Sequence, residues 1–272
     1  MQSRLLPEIN GKWQAHPANR WYEEFQIAEK LNLQLIEFIF DLPSLNCNPL
    51  ISEDGVQTLR EVQASSKVKI ESICADYFMQ SSILDSSIIK SNFSTLQLLV
   101  ESSKKLDISK IVIPLLDNSS ISRQLIHSGL SSEEYFLSIA ELFLPALKNL
   151  ENIEICFETD LEPRLQLDFI EAFNSKNIRV NYDIGNSTGN GFSIEEEFSY
   201  YGHLISNVHI KDKKLNGPSI KLGEGDANFL KLKKLLLEYN YSGNIIFETF
   251  RDFEGLNIFK EQLSWFQENF IY

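Results

Sequence analysis

Cysteine is scarce in this chain. Its 272 residues include three, Cys47, Cys74 and Cys156, scattered and without a CxxC pair. Neither a disulfide framework nor a zinc knuckle is expected, and a reducing cytoplasm fits best. Positive charge is outnumbered: 25 Lys and Arg stand against 38 Asp and Glu, a net charge of −13. A field of that sign repels nucleic-acid backbone and anionic membrane surface, so neither is expected as a partner. No run approaches the ~18 apolar residues that cross a bilayer. The opening residues, MQSRLLPEINGKW, have no apolar core of the kind a signal peptide needs. No Gly/Ser linker or low-complexity stretch divides the chain, so 1–272 reads as a single domain.

What is present is ordinary in amount and regular in order. Hydrophobic residues are 43 % and charged residues 23 %, values typical of a globular protein. A chain of this length buries roughly 70–75 % of its unfolded surface and needs no metal merely to fold. Short runs dense in Ile, Val and Phe lie at 33–40, 68–75, 109–114, 153–158, 178–182, 206–210 and 243–248. Such runs suit strands buried on both faces. Amphipathic stretches alternate with them, at 21–32, 55–65, 94–106, 133–150, 164–175, 193–204, 227–239 and 256–267. Pro145 sits inside the fourth, where it would kink a helix. The serine-rich 81–92 reads as a loop leading into a helix. Seven strands and eight helices in alternation predict an α/β fold, and specifically a closed (β/α)8 TIM barrel. The missing strand is the first. Only Met1–Leu6 precede the first turn, so that strand is abbreviated or the start lies downstream of the true one.

Each of the last four strand candidates carries an acid or a histidine at its C-terminal end: Glu158, Asp183, His209 and Glu248. They follow one another at 25, 26 and 39 residues, about one strand–helix unit each. In a parallel barrel these ends open on one face, where active sites are built. Three carboxylates and an imidazole form a hard-to-borderline donor set for one divalent ion such as Mn²⁺, Mg²⁺, Co²⁺ or Zn²⁺. A lone glutamate ending a strand is more often a helix cap or a surface acid. A lone histidine in an apolar strand is more often a satisfied core residue. Coincidence is a poor account of four on successive strands.

The ordered set FETDLEP (157–163), NYDIGNSTGNG (181–191), HIKDKK (209–214), LGEGDANF (222–229) and IIFETF (245–250) resembles the xylose isomerase-like TIM-barrel superfamily. WYEEFQIAEKLNLQLIEFIFD (21–41) and ICADYFM (73–79) extend the likeness over nearly the whole chain. DIGN, HIKD and GEGD are most similar to the L-ribulose-5-phosphate 3-epimerase and hexulose-6-phosphate isomerase-like group. The resemblance implies that Glu158, Asp183, His209 and Glu248 bind one divalent metal. It implies Glu158 and Glu248 as the acid/base pair of a sugar-phosphate isomerase or 3-epimerase. The chemistry is consistent: a metal across a carbonyl and its neighbouring hydroxyl stabilises an enediolate, and two carboxylates move the proton.

Free-ketose 3-epimerases of the superfamily carry a histidine three residues after the aspartate. Here Asn186 stands there, able to hold a substrate oxygen but not to carry a proton. That departure points toward the phosphate-sugar group. Lys211, on the same strand face as His209, and Lys221 are expected at the substrate. Glu224 lies between Gly223 and Gly225, which permit a close backbone approach to phosphate. The same stretch also reads as a plain turn with Asp226 capping the next helix. Glu37, Asp41 and Asp76 are expected at the same mouth, against the sugar or its water, and Arg4 as an anion contact. The resemblance also implies a homodimer or homotetramer. An endonuclease IV-like hydrolase is disfavoured by the four histidines and the charge of −13. An inosose-dehydratase-like lyase, a hydroxypyruvate isomerase-like enzyme and an inactive barrel that binds a partner are the alternatives.

Overall fold

The computed structural model describes residues 1–2, 5–85 and 87–271. Arg4 lies outside the described residues. Seven strands form one parallel sheet: β1 (Leu35–Ile39), β2 (Lys69–Cys74), β3 (Lys110–Leu115), β4 (Glu154–Thr159), β5 (Ile178–Asp183), β6 (Ile205–Ile210) and, after a short hairpin, β9 (Asn244–Phe247). Each pairs in parallel with the next in that order. Every expected strand is found to within two residues at either end. The hairpin is β7 (Asp212–Lys213) with β8 (Ser219–Ile220), antiparallel, leaving directly from the top of β6.

The gap between β9 and β1 is closed by the first two residues. Gln2 makes a parallel bridge to Glu37. Its N–H donates to Phe247 O at 3.1 Å, while the Glu37 N–H donates to Met1 O at 2.8 Å. Among the described residues the expected abbreviated first strand is represented by this bridge, and the sheet nearly closes into an α/β barrel.

Helices cover the outside because the strands offer them large apolar residues. One outward anchor precedes each acid or histidine at the mouth. Phe157 packs among Phe143, Phe169 and Phe173 at ring-centroid distances of 5.5, 5.1 and 5.3 Å. Tyr182 meets Phe198 edge-on at 5.3 Å, and Phe247 meets Phe266 at 4.9 Å. Val208 is fully buried in the same way. Successive side chains of a strand face opposite sides, so anchoring Phe157, Tyr182, Val208 and Phe247 outward turns Glu158, Asp183, His209 and Glu248 inward.

The eight expected helices are present, with ends shifted by up to five residues. Helix Ser132–Leu147 runs through Pro145, which falls in its last turn. Short helices at Tyr77–Gln80, Ile121–Ser128 and Ile184–Asn190 were not foreseen. The last, IGNSTGN, has no apolar periodicity to reveal it. Asn228, not Asp226, caps helix Phe229–Glu238, its side chain accepting from Lys231 N–H. Asp226 is committed elsewhere, accepting from Leu215 N–H at 2.9 Å across the hairpin. No helix among the described residues is long and apolar enough to cross a membrane.

Candidate functional site

Glu158, Asp183, His209 and Glu248 converge at the C-terminal mouth of the barrel. All four are buried, and each offers one donor atom such that these atoms lie within 4.8 Å of one another. An ion with bonds of roughly 2.0–2.4 Å places its donors no more than about 4.8 Å apart. His209 Nδ1 lies 2.8 Å from Glu248 Oε2 and 3.5 Å from Glu158 Oε2, yet it makes no aligned hydrogen bond. A fully buried imidazole nitrogen crowded against two carboxylates without an aligned hydrogen bond is a donor that a divalent cation can use. The donor set and the placing of this nitrogen both fit a divalent cation.

The charge balance agrees. Burial, with Asp183 adding like charge, pushes the Glu158 carboxyl up to about 8. Burial opposes charge on His209 as well, but the neighbouring Glu37 and Glu248 prevail and hold its pKa well above the usual range. Lys211 supplies a second cation. Its Nζ donates to Asp183 Oδ2 at 3.1 Å and to Glu248 Oε1. Gly185 makes this possible: a Cβ there would stand 2.6 Å from Lys211 Cγ, so the bare backbone is the slot for the lysine stem. Asn186 also joins the site. Its Nδ2 donates to Glu158 Oε1 at 2.6 Å, and its backbone N–H is capped by Asp183 Oδ1 at 2.9 Å.

Beneath this lies a polar layer that sequence reading only partly found. Glu37 accepts from Ser72 Oγ at 2.8 Å and from Asn207 Nδ2 at 2.9 Å, and pairs with His209 Nε2 at 2.8 Å. Asn181 Nδ2 donates to Glu158 Oε2 at 2.7 Å. Asn181 and Asn207 were missed. The signal was their place two residues before Asp183 and His209, on the same strand faces.

The other candidates make contacts outside the four-residue cluster. Lys221 reaches Glu261 at 3.3 Å in a surface pair, and Glu224 is exposed. The N–H groups of Gly223 and Gly225 do not await a phosphate. Both donate to Asp212 Oδ2 at 2.9 Å, and Ala227 N–H donates to Oδ1 at 3.1 Å. A Cβ on residue 225 would stand 1.8 Å from that carboxylate, which is why a glycine is there. Asp41 accepts from His16 N–H and Ser44 N–H and so braces a loop. Asp76 takes the Cys74 thiol at 3.2 Å.

A family model described as a xylose isomerase-like TIM barrel matches residues 25–269. The chain belongs to this xylose isomerase-like TIM-barrel family. Solved structures agree on the fold. That of 3-keto-D-glucoside 4-epimerase, YcjR, from E. coli superposes with a TM-score of 0.71 at 13 % identity, covering 91 % of this chain and 94 % of the other. The IOLI protein with a bound zinc atom gives 0.67 at 17 %, covering 93 % and 91 %. A xylose isomerase-like barrel from Mycobacterium smegmatis in complex with magnesium gives 0.68 at 17 %, covering 93 % and 88 %. Among curated sequences, the uncharacterized protein MJ1311 of Methanocaldococcus jannaschii is 32 % identical over 91 residues, about a third of each chain. For a xylose isomerase-like barrel, the mouth described here has the residues that could hold one divalent metal.

Proposed function

We propose that this xylose isomerase-like barrel is a divalent-metal-dependent isomerase or 3-epimerase of a sugar or sugar phosphate. One observation carries the reading. Glu158 and Glu248 stand at the two ends of a four-strand arc, with Asp183 and His209 between them and all four donors within 4.8 Å. Glu158, Asp183, His209 and Glu248 would hold the ion. Once bound, it supplies Lewis-acid polarisation of a carbonyl and the adjacent hydroxyl.

The chain's own residues do the rest. Glu158 and Glu248 approach from opposite ends of the arc, so one removes the proton beside the carbonyl and the other returns it to the opposite face. That sequence inverts a stereocentre. One carboxylate moving the proton between neighbouring carbons gives aldose–ketose isomerisation instead. Asn181 and Asn186 each donate to a different oxygen of Glu158, at 2.7 and 2.6 Å, and so fix the carboxylate plane. Lys211 donates to Asp183 and Glu248 within the ligand cluster. Its place among the carboxylates, with Lys221 turned to Glu261, makes Lys211 the phosphate or hydroxyl contact in this reading.

The experiment is solvent deuterium uptake across a panel of ketoses and ketose phosphates, with Mn²⁺, Co²⁺ or Mg²⁺. Exchange at one carbon that vanishes with EDTA and in Glu248→Gln is expected. Exchange that persists without metal, or none across the panel, defeats the reading.

A further inference from the structure

Glu37 lies in the middle of β1 and is fully buried. A carboxylate inside the strand LIEFI is costly to bury unless it is paired. Its partners form a connected path. Glu37 Oε1 takes His209 Nε2 at 2.8 Å, and Glu37 Oε2 takes Asn207 Nδ2 at 2.9 Å. The same Asn207 amide donates to Asn181 Oδ1 at 2.7 Å, and Asn181 Nδ2 donates to Glu158 Oε2 at 2.7 Å. The path therefore starts on one candidate ligand, crosses β1, β6 and β5, and ends on another. Ser72 Oγ, Asn207 Nδ2 and His209 Nε2 all converge on Glu37, so its carboxylate is the shared acceptor of the layer. A carboxylate accepts only, so Nε2 carries a proton against Glu37; Nδ1, which faces Glu158 and Glu248, would shed its own to hold the ion those acids share.

We propose that Glu37 is a positioning residue for the metal centre. It fixes His209 with the proton on Nε2, which leaves the Nδ1 lone pair for the ion that Glu158 and Glu248 would share. Through Asn207 and Asn181 it also sets the orientation of the Glu158 carboxylate. The proposal rests on the reading above that these residues bind a divalent ion. Outer-shell carboxylates of this kind orient ligating histidines and raise their basicity.

The test uses protein labelled with ¹⁵N-histidine and loaded with Zn²⁺, read by long-range ¹H–¹⁵N correlation. The chain has four histidines, and His209→Asn identifies the resonance. The wild type should show His209 protonated at Nε2 and metal-bound at Nδ1. Glu37→Gln should lower zinc affinity ~10–100-fold and broaden or switch the tautomer, because an amide cannot accept from all three donors. Ser72→Ala keeps the Glu37–His209 contact and should keep wild-type affinity. A Glu37 that were only structural would lower Tm and leave both the tautomer and the affinity in place.

Should Glu37→Gln not fold, the wild-type tautomer still decides: a proton on Nδ1 in the zinc form overturns the proposal. Zinc bound with the expected tautomer, but no exchange on any sugar, defeats the proposed function and leaves this inference standing. No zinc uptake by the wild type overturns both.

Discussion

The two sides of the barrel interior differ sharply. On one, β4, β5, β6 and the end of β9 turn Glu158, Asp183, His209 and Glu248 inward. On the other, Cys74 of β2 and Val112 of β3 pack with Cys156 of β4 into a small buried apolar cluster. The backbone is the same on both sides, parallel strands with large apolar residues outward. The difference is which residue follows each outward anchor. Cys156 lies two residues before Glu158 on the same strand face, so the apolar cluster is also the floor under that acid. Burial pushes the Cys156 thiol up to about 12, which leaves it an inert packing residue. Burial makes the Glu158 carboxylate costly to ionise without a cation.

Substitutions should separate the two sides. With saturating metal, Glu158→Gln and Glu248→Gln should each cut turnover by ~10²–10⁴-fold, the usual worth of a positioned acid or base. Val112→Ala, on the dry side, should leave turnover within a few-fold, as read by deuterium uptake. Removing an anchor rather than a ligand should act on stability. Phe157→Ala loses contact with three aromatic rings and should cost ~3–5 kcal/mol by chemical denaturation.

Metal should stabilise the wild type through the charged side alone. An ion at a hundred times its Kd adds about 2.7 kcal/mol, or ~5–10 °C in Tm for a chain of this size. Asp183→Asn should remove that shift.

The metal-free protein gives a further contrast. Its Glu158 pKa is about 8 against an ordinary 4.5. The folded state then keeps a proton that the unfolded chain has already released, so stability falls as pH rises from 4.5 toward 8. Metal must displace the same proton, so affinity should rise over that window and level off above it. Thermal melts of EDTA-treated protein should show the decline flattened in Glu158→Gln. The smallest expected effect is at Lys221→Ala. Its surface pair with Glu261 should leave Tm and the KM for any phosphate ester unchanged.

Much of this was legible in the sequence because the barrel repeats one instruction. Apolar runs fix the strands, and Glu158, Asp183, His209 and Glu248 recur at their ends. What was hidden depended on partners far along the chain. Glu37 is 172 residues from His209, and a single acid inside an apolar strand does not name its partner. Gly223 and Gly225 read equally as a phosphate cradle or a turn until Asp212 is seen to fill the space. The helix after Asp183 is built on a cap and a tertiary slot for the Lys211 stem, which no periodicity reports. An abbreviated first strand was one of two readings of the shortage of chain before the first helix. Its closure was not foreseen, because it needs the carbonyl of Phe247 at the other end of the sequence.

The Asp212 clamp has a consequence for how such a barrel can change over time. One carboxylate gathers three backbone N–H groups, from Gly223, Gly225 and Ala227. The intervening hairpin, with its exposed tip at Leu215 and Asn216, hangs from that point like a tag from a rivet. Insertions and deletions between 214 and 221 can reshape the rim above the mouth, as surface loops generally tolerate. The strand below, and the imidazole it carries, need not move.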